Sequence, residues 1–241
     1  MLTRDGAAHR RPRGTANPLF TAKAINETAS RIAGIIHRIM DDMGKGRDFD
    51  LIGSLAALVP VTVFCGLGGL PVEDRDLCRK WTDALGHVID PAVDETTRRA
   101  MNDAAEEFGA DIAGHVEQRR VAPRNDFLSR LLLAEFDGEK LSDEEIIANV
   151  MMFFLGGHET TANLIGNGMP ALLRRPDVRP LSLGGGPHHC IGAALAKAGA
   201  KPVFTELPRR HRDIRPSREG VVWRSQVNKR GLSELRVDLV S

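Results

Sequence analysis

Leu181-Ser-Leu-Gly-Gly-Gly-Pro-His-His-Cys190-Ile-Gly-Ala-Ala-Leu-Ala-Lys-Ala198 carries more chemistry than any other run in this chain of 241 residues. Three glycines and a proline give a backbone that can lie close against something flat. One cysteine follows, then a series of small helix formers. At the mouth of a helix, unpaired N–H groups and the positive dipole end favour thiolate over thiol. Gly192, Ala193, Ala194 and Ala196 keep that helix thin, so a large planar ligand has room on its first turns. The plain alternative is a packed thiol beside an ordinary loop. Zinc fails on spacing, because His188, His189 and Cys190 are consecutive whereas ligands of one ion sit about two to four residues apart. A dinucleotide loop fails as well, since Gly184-x-Gly186 meets His189 where a third glycine belongs.

Upstream, Ser142-x-x-Glu145 has the form of a capping box. The helix it opens passes through Ile146, Ile147, Val150, Met151, Phe153, Phe154 and Leu155, apolar nearly all round, as a central helix is. It is then interrupted by Gly156-Gly157-His158-Glu159-Thr160-Thr161. Two glycines inside a helix cost roughly 1 kcal/mol each against alanine, which makes close approach by a ligand a sensible motive. Thr160 is placed to bond back to the carbonyl of Gly156 and open a polar notch, with the Glu159 carboxylate beside it. A helix crossing with a capped kink accounts for the glycines but poorly for the carboxylate. A zinc-protease reading ends at Ala162, where a second histidine is needed.

The cysteine run resembles the haem-binding loop of the cytochrome P-450 family, Phe-Gly-x-Gly-x-His/Arg-x-Cys-x-Gly. Leu183 stands in for the Phe, and Gly184, Gly186, His188, Cys190 and Gly192 match. Residues 156–161 resemble the family's Ala/Gly-Gly-x-Asp/Glu-Thr-Thr segment on its central, oxygen-facing helix. The resemblance implies that Cys190 ligates the iron of haem b (iron protoporphyrin IX). Leu183, Gly184, His188, Gly192 and Ala196 would contact the cofactor. It implies that Thr160 and Glu159 relay protons, and that Gly156 and Gly157 make room for dioxygen and substrate. His9-Arg10-Arg11-Pro12-Arg13 reads by composition as a solvated basic tail. Against the family it resembles the helix whose His-x-x-x-Arg pair, here His9 and Arg13, holds haem propionates. Pro12 is awkward there unless the helix starts at it.

Composition is that of an ordinary globular chain, 42% hydrophobic and 27% charged. A formal net charge of +1 gives no case for a nucleic-acid partner. Three cysteines point to a reducing compartment rather than a disulfide framework. The N-terminus lacks the apolar stretch of a signal peptide. Leu51 to Leu70 is uncharged, but Pro60, Ser54, Thr62 and its glycines make it core rather than a membrane anchor. The expected location is the cytoplasm.

Helical stripes fill the middle of the chain. They are Ile25, Ala29, Ile32, Ile36 and Ile39, closed by Gly44; Leu77, Trp81, Leu85 and Val88; Met101, Ala105, Phe108, Ile112 and Val116; and Phe127, Leu131 and Leu132. Cys65 and Cys78 fall among them as packed thiols. Pro170 is expected to kink or end the central helix. Residues 221–227 and 235–240, around Gly231, read as a terminal strand pair. The fold class is therefore mainly α, a truncated cytochrome P-450-like helical fold with a small C-terminal β-hairpin.

Two departures from the family stand out. Thr160 and Cys190 lie only thirty residues apart, far closer than in the family. The family's Glu-x-x-Arg helix has no counterpart between them. Glu95-x-x-Arg98, Glu117-x-x-Arg120 and Glu206-x-x-Arg209 read as local i,i+3 pairs. Residues 1–241 are thus expected to form one incomplete domain, N-terminally truncated and internally deleted. Its parts are a helical portion 5–175, a seam at 176–180, and 181–241 carrying the loop, helix and strand pair. The implied function is a haem-dependent monooxygenase acting on a small organic substrate, fed by a separate ferredoxin or flavoprotein. Arg10, Arg11 and Lys197 would form part of the donor's docking face. The alternative is an inactive remnant that binds haem weakly or serves as a helical interaction module.

Overall fold

A computed structural model describes residues 5–43, 48–174, 183, 186–224 and 230–240. Helix α1 (Gly6–Ala16) opens after Asp5 and contains Pro12 in its interior, so the helix does not start at the proline. Thr15 Oγ1 bonds back to the Arg11 carbonyl at 3.0 Å in the turn that follows. The stripe from Ile25 to Ile39 is split in two. Thr21 caps α2 (Ala22–Asn26) by accepting the Ala24 N–H at 3.2 Å. The chain turns at Glu27 and Thr28, and α3 (Ala29–Asp42) buries Ile32, Ile35, Ile36, Ile39 and Met40. Ala29 is exposed because it begins a helix instead of continuing one. Gly44 lies outside the described residues.

Strand β1 (Phe49–Asp50) leads through a π-helical turn, Ile52–Ala56, into α4 (Leu58–Gly68). Gly69 ends that helix at φ +96°, a left-handed cap that costs glycine little. Leu51, Leu55, Val59, Val61 and Val63 are buried, so the uncharged stretch is core. Among the described residues no helix is long and apolar enough to cross a membrane. Helix α5 (Arg75–Leu85) turns Cys78, Trp81, Thr82 and Leu85 inward. Leu77 and Val88, expected on that face, are 40% and 52% exposed. Cys78 takes the position one turn before Trp81, and Val88 lies past the helix end.

Asp94 and Asp126 cap α6 (Glu95–Val121) and α7 (Phe127–Leu133), accepting the N–H groups of Thr97 at 2.7 Å and Ser129 at 2.8 Å. Arg119 Nε also meets Asp126 Oδ2 at 2.6 Å, with both residues buried. Burial alone would raise the Asp126 carboxyl. The Ser129 N–H and the Arg119 guanidinium outweigh it and hold the group below its usual range. Strands β2 (Glu135–Phe136) and β3 (Glu139–Lys140) pair across Asp137 and Gly138, both at positive φ.

The capping box forms as the sequence predicts. Ser142 N–H donates to Glu145 Oε2 at 2.9 Å, and Glu145 N–H donates to Ser142 Oγ at 3.2 Å. It opens α8 (Asp143–Arg174), which continues through Pro170 for a further turn instead of stopping there. Helices α4, α5, α6 and α7 pack around α8, as does α9 (Ala193–Arg210). Trp81 stacks on Phe108 at 4.9 Å, and Phe108 meets Phe154 of α8 edge-on at 5.4 Å. Cys65 and Cys78 are fully buried free thiols. Strands β4 (Asp213–Trp223) and β5 (Leu232–Val240) form the terminal pair, with β1 on the outer edge of β5. The pairing begins at Asp213↔Val240, earlier than the expected residue 221. The seam at 176–180 lies outside the described residues. The fold is mainly α with a small antiparallel sheet.

Candidate functional site

Helix α8 divides its polar segment between two sides. His158 is buried, and its Nδ1 meets Thr82 Oγ1 of α5 at 2.8 Å. Burial pushes the His158 pKa down; Asp83 works against this, while Arg79 and Arg224 add to it. Glu159 is also buried, with Oε2 3.0 Å from where a Cβ on Gly86 would lie. Thr160 is exposed and donates to the Gly156 carbonyl, which is the back-bond expected from the sequence. Among the described residues, a Cβ on Gly156 would meet nothing within 4 Å. Gly156 and Thr160 thus border open space, whereas Glu159 faces the end of α5. Gly157 has a different neighbour: a Cβ there would overlap the Phe64 ring of α4. Its missing side chain accommodates that ring.

The cysteine loop closes with Cys190 N–H donating to the Leu183 carbonyl at 3.0 Å. Gly192 caps α9, and Cys190 sits two residues before that cap, half-buried. Among the described residues, a Cβ on Gly192 would find only Cys190 Sγ, at 4.0 Å, so the sulfur lies beside bare backbone. Ala196, half-buried, donates its N–H to the Gly192 carbonyl at 2.8 Å in the first turn. Gly184 lies outside the described residues.

Helix α1 and its cap reach this loop across 176 to 183 residues of sequence. The His9 and His188 rings lie 4.5 Å apart between centroids, tilted by 35°. Arg13 Nη2 donates to the His189 carbonyl, and Arg13 Nε to Asn17 Oδ1 at 3.1 Å. His188 Nε2 meets Asp5 Oδ1 at 2.9 Å. Burial, then the nearness of His188 and Arg13, push the His9 pKa down. Arg11 does not belong to a free basic face. It is held by Glu139 at 3.1 Å and by Glu145, charges that the spacing of the basic run did not reveal. Arg10 and Lys197 are exposed.

Helices α8 and α9 run in the same general sense. Phe204 of α9 fits against Gly168 of α8, where a Cβ would come within 2.7 Å of the ring. Nearer their starts, Leu195 shares a cavity wall with Val150 and Phe153. The arrangement carries the cysteine loop toward the N-terminal half of α8. The segment leading into β5 docks one to two turns beyond Thr160, with Asn167 Nδ2 donating to the Arg230 carbonyl at 2.8 Å and Gly231 against Asn163. The Glu-x-x-Arg pairs are local: Glu95–Arg98 at 3.8 Å and Glu206–Arg209 at 3.2 Å, while Arg120 pairs with Asp143.

Sequence reasoning missed His158–Thr82, Phe64 against Gly157, and Asp5 as the partner of His188. Only the buried polarity of His158 in an apolar helix offered a signal for any of these.

A family model described as Cytochrome P450 matches residues 81–180, which include the 156–161 segment. The Vitamin D(3) 25-hydroxylase of Pseudonocardia autotrophica is 36% identical over 182 residues, 75% of this chain and 43% of that protein. The polyketide biosynthesis cytochrome P450 PksS of Bacillus subtilis is 35% identical over 174 residues, 72% of this chain and 42% of that protein. The solved structure of PksS superposes with a TM-score of 0.88 at 26% identity, covering 99% of this chain and 80% of that one. The chain spans less than half the length of these two curated relatives. On the fold, the α8 segment and these likenesses together, the chain belongs to the cytochrome P450 family.

Proposed function

We propose that this chain carries the haem-holding portion of a monooxygenase that inserts one oxygen atom of dioxygen into a small organic substrate. The observation that carries this reading is the meeting of α1 with the cysteine loop. His9 and Arg13 of α1 gather with His188, more than 170 residues away in sequence, beside Cys190. A half-buried sulfur at a thin helix start, open space at Gly156 and a cluster of bases for carboxylates all suit haem b.

In this reading Cys190 supplies the thiolate, and Leu183, Gly184, Gly192 and Ala196 lie against the cofactor. His9, Arg13 and His188 bind its carboxylates. Bound haem supplies redox chemistry with dioxygen that no side chain here can perform. Thr160 Oγ1, held by the Gly156 carbonyl, offers a hydroxyl at the open side, and Glu159 is the carboxylate behind it for proton movement. Gly156 keeps that side clear, and Gly157 admits Phe64 beside it. Electrons come from a separate ferredoxin or flavoprotein docking near Arg10 and Lys197. Charge reversal at those two residues should slow reduction; an unchanged rate with every donor removes the docking assignment.

A second reading is favoured by one observation. The Glu-x-x-Arg pairs with a resolved ion pair are local, an exposed one on α6 and one on α9 with Glu206 half-buried. On that reading the chain is an inactive remnant that holds haem weakly. One experiment separates the two. The chain is loaded with haem, reduced and exposed to carbon monoxide. Thiolate ligation gives a strongly red-shifted Soret band, which Cys190→Ser abolishes. Failure to retain haem supports the remnant, and an unshifted band removes Cys190 as ligand.

A further inference from the structure

A cavity of about 170 Å³ lies between the Phe20–Ile25 segment, α4, α7 and α8. Of its lining residues, Phe64 is named in the haem reading, where it packs against Gly157 on the flank of α8. Its wall is aromatic: Phe20, Phe127 and Phe153 meet edge to face with centroids 5.0–5.3 Å apart. Apolar cavities of about 150 Å³ stay dry and accept a benzene ring, so this one has room for a single ring.

The mouth is polar and exposed, formed by Glu27, Arg31, Asn125 and Arg130. Arg31 Nη2 donates to the Gly66 carbonyl, and Arg130 Nη2 donates to Asn125 Oδ1 at 2.9 Å. A guanidinium carries five N–H donors, so one anchoring bond fixes each fork without exhausting it. Asp126 also lines the cavity, but its charge is matched by Arg119. Two guanidiniums against the single Glu27 carboxylate give the mouth a positive balance.

We propose that this cavity is a binding site for a small aryl carboxylate, with the ring among the phenylalanines and the carboxylate at Arg31 and Arg130. Apolar burial supplies the seat, and charge-assisted bonds from the guanidiniums select the anion. Its test requires neither haem nor activity.

The test uses the full chain and fluorine NMR titrations with 4-fluorobenzoate, fluorobenzene and 4-fluorobenzylammonium. The anion should bind at least about tenfold more tightly than the neutral ring, and the cation most weakly, as expected of charge-assisted pairing. The Arg31→Gln/Arg130→Gln variant should erase the difference between anion and neutral ring. Ala24→Phe fills the cavity and should abolish binding of both. Leu67→Phe fills it from α4 and decides the matter if Ala24→Phe does not fold. Equal affinity for all three probes overturns the carboxylate assignment. No binding, or binding that survives both filling variants, overturns the site.

Discussion

Gly156 and Gly157 are neighbours on α8, yet alanine should stabilise at the first and not at the second. Alanine in place of a helical glycine gains about 0.5–1 kcal/mol from backbone entropy. At Gly156 none of the described residues stands within 4 Å of the new Cβ, so the whole gain should appear in the unliganded chain. At Gly157 the new atom overlaps the Phe64 ring, which is itself packed 5.4 Å from Phe154. Overpacking of that kind costs about 1–3 kcal/mol, so Gly157→Ala should be neutral to about 2 kcal/mol destabilising after the entropy gain. The two variants should differ by about 1–3 kcal/mol, or roughly 2–12 °C in Tm for a chain of this size. Thermal and urea unfolding of the haem-free chain measure it. Adding Phe64→Leu to Gly157→Ala should recover most of the loss, the mark of a pairwise clash. Equal effects at the two positions, or no recovery with Phe64→Leu, would refute the assignment of the two sides of α8.

The buried Arg119–Asp126 pair should be costly to break from either end. Arg119→Met leaves a buried carboxylate and should lower stability by about 3–5 kcal/mol in urea unfolding. His158 is held below its ordinary value of 6.5, so the unfolded chain binds a proton there that the folded chain does not. Stability should accordingly be full above pH 6.5 and fall as pH drops below it, by up to about 1.4 kcal/mol per pH unit until the folded value is passed. His158→Gln should flatten that part of the pH profile, and an unflattened profile assigns the loss elsewhere. Ser142→Ala should cost about 0.5–2 kcal/mol through loss of the α8 cap, read in the same unfolding assay.

Local chemistry was legible from the residues alone. The capping box at Ser142 and Glu145, the Thr160 back-bond and the packed thiols Cys65 and Cys78 follow from neighbours within a turn or from hydrophobic context. Features that rest on distant partners were not legible. Arg11 looked like a free surface charge because Glu145 is 134 residues away. His158 and Thr82 are 76 residues apart, so the anchor of α8 leaves no local pattern. The α5 face was misjudged by one residue, since Leu77 and Cys78 are both apolar and the helix admits one of them inward. Periodicity through Ile25 and Ile32 concealed the break at Thr28, where a lone turn decides the path.

The most consequential of these distant pairs is His158 with Thr82, because it fixes the rotation of α8. At 3.6 residues per turn each step advances about 100°, which places His158 about 200° from both Gly156 and Thr160. Gly156 and Thr160 stand only about 40° apart, on one side. Burying the imidazole against α5 therefore turns the glycine and the threonine outward together, whatever else surrounds them. Glu159, about 100° from each of its neighbours, falls on the flank and is buried at the end of α5. The Phe64 ring beside Gly157 closes the opposite flank. The open side of α8 is thus produced by packing on the other three, and weakening the His158 anchor should disturb the proposed cofactor-facing side from the far side of the helix.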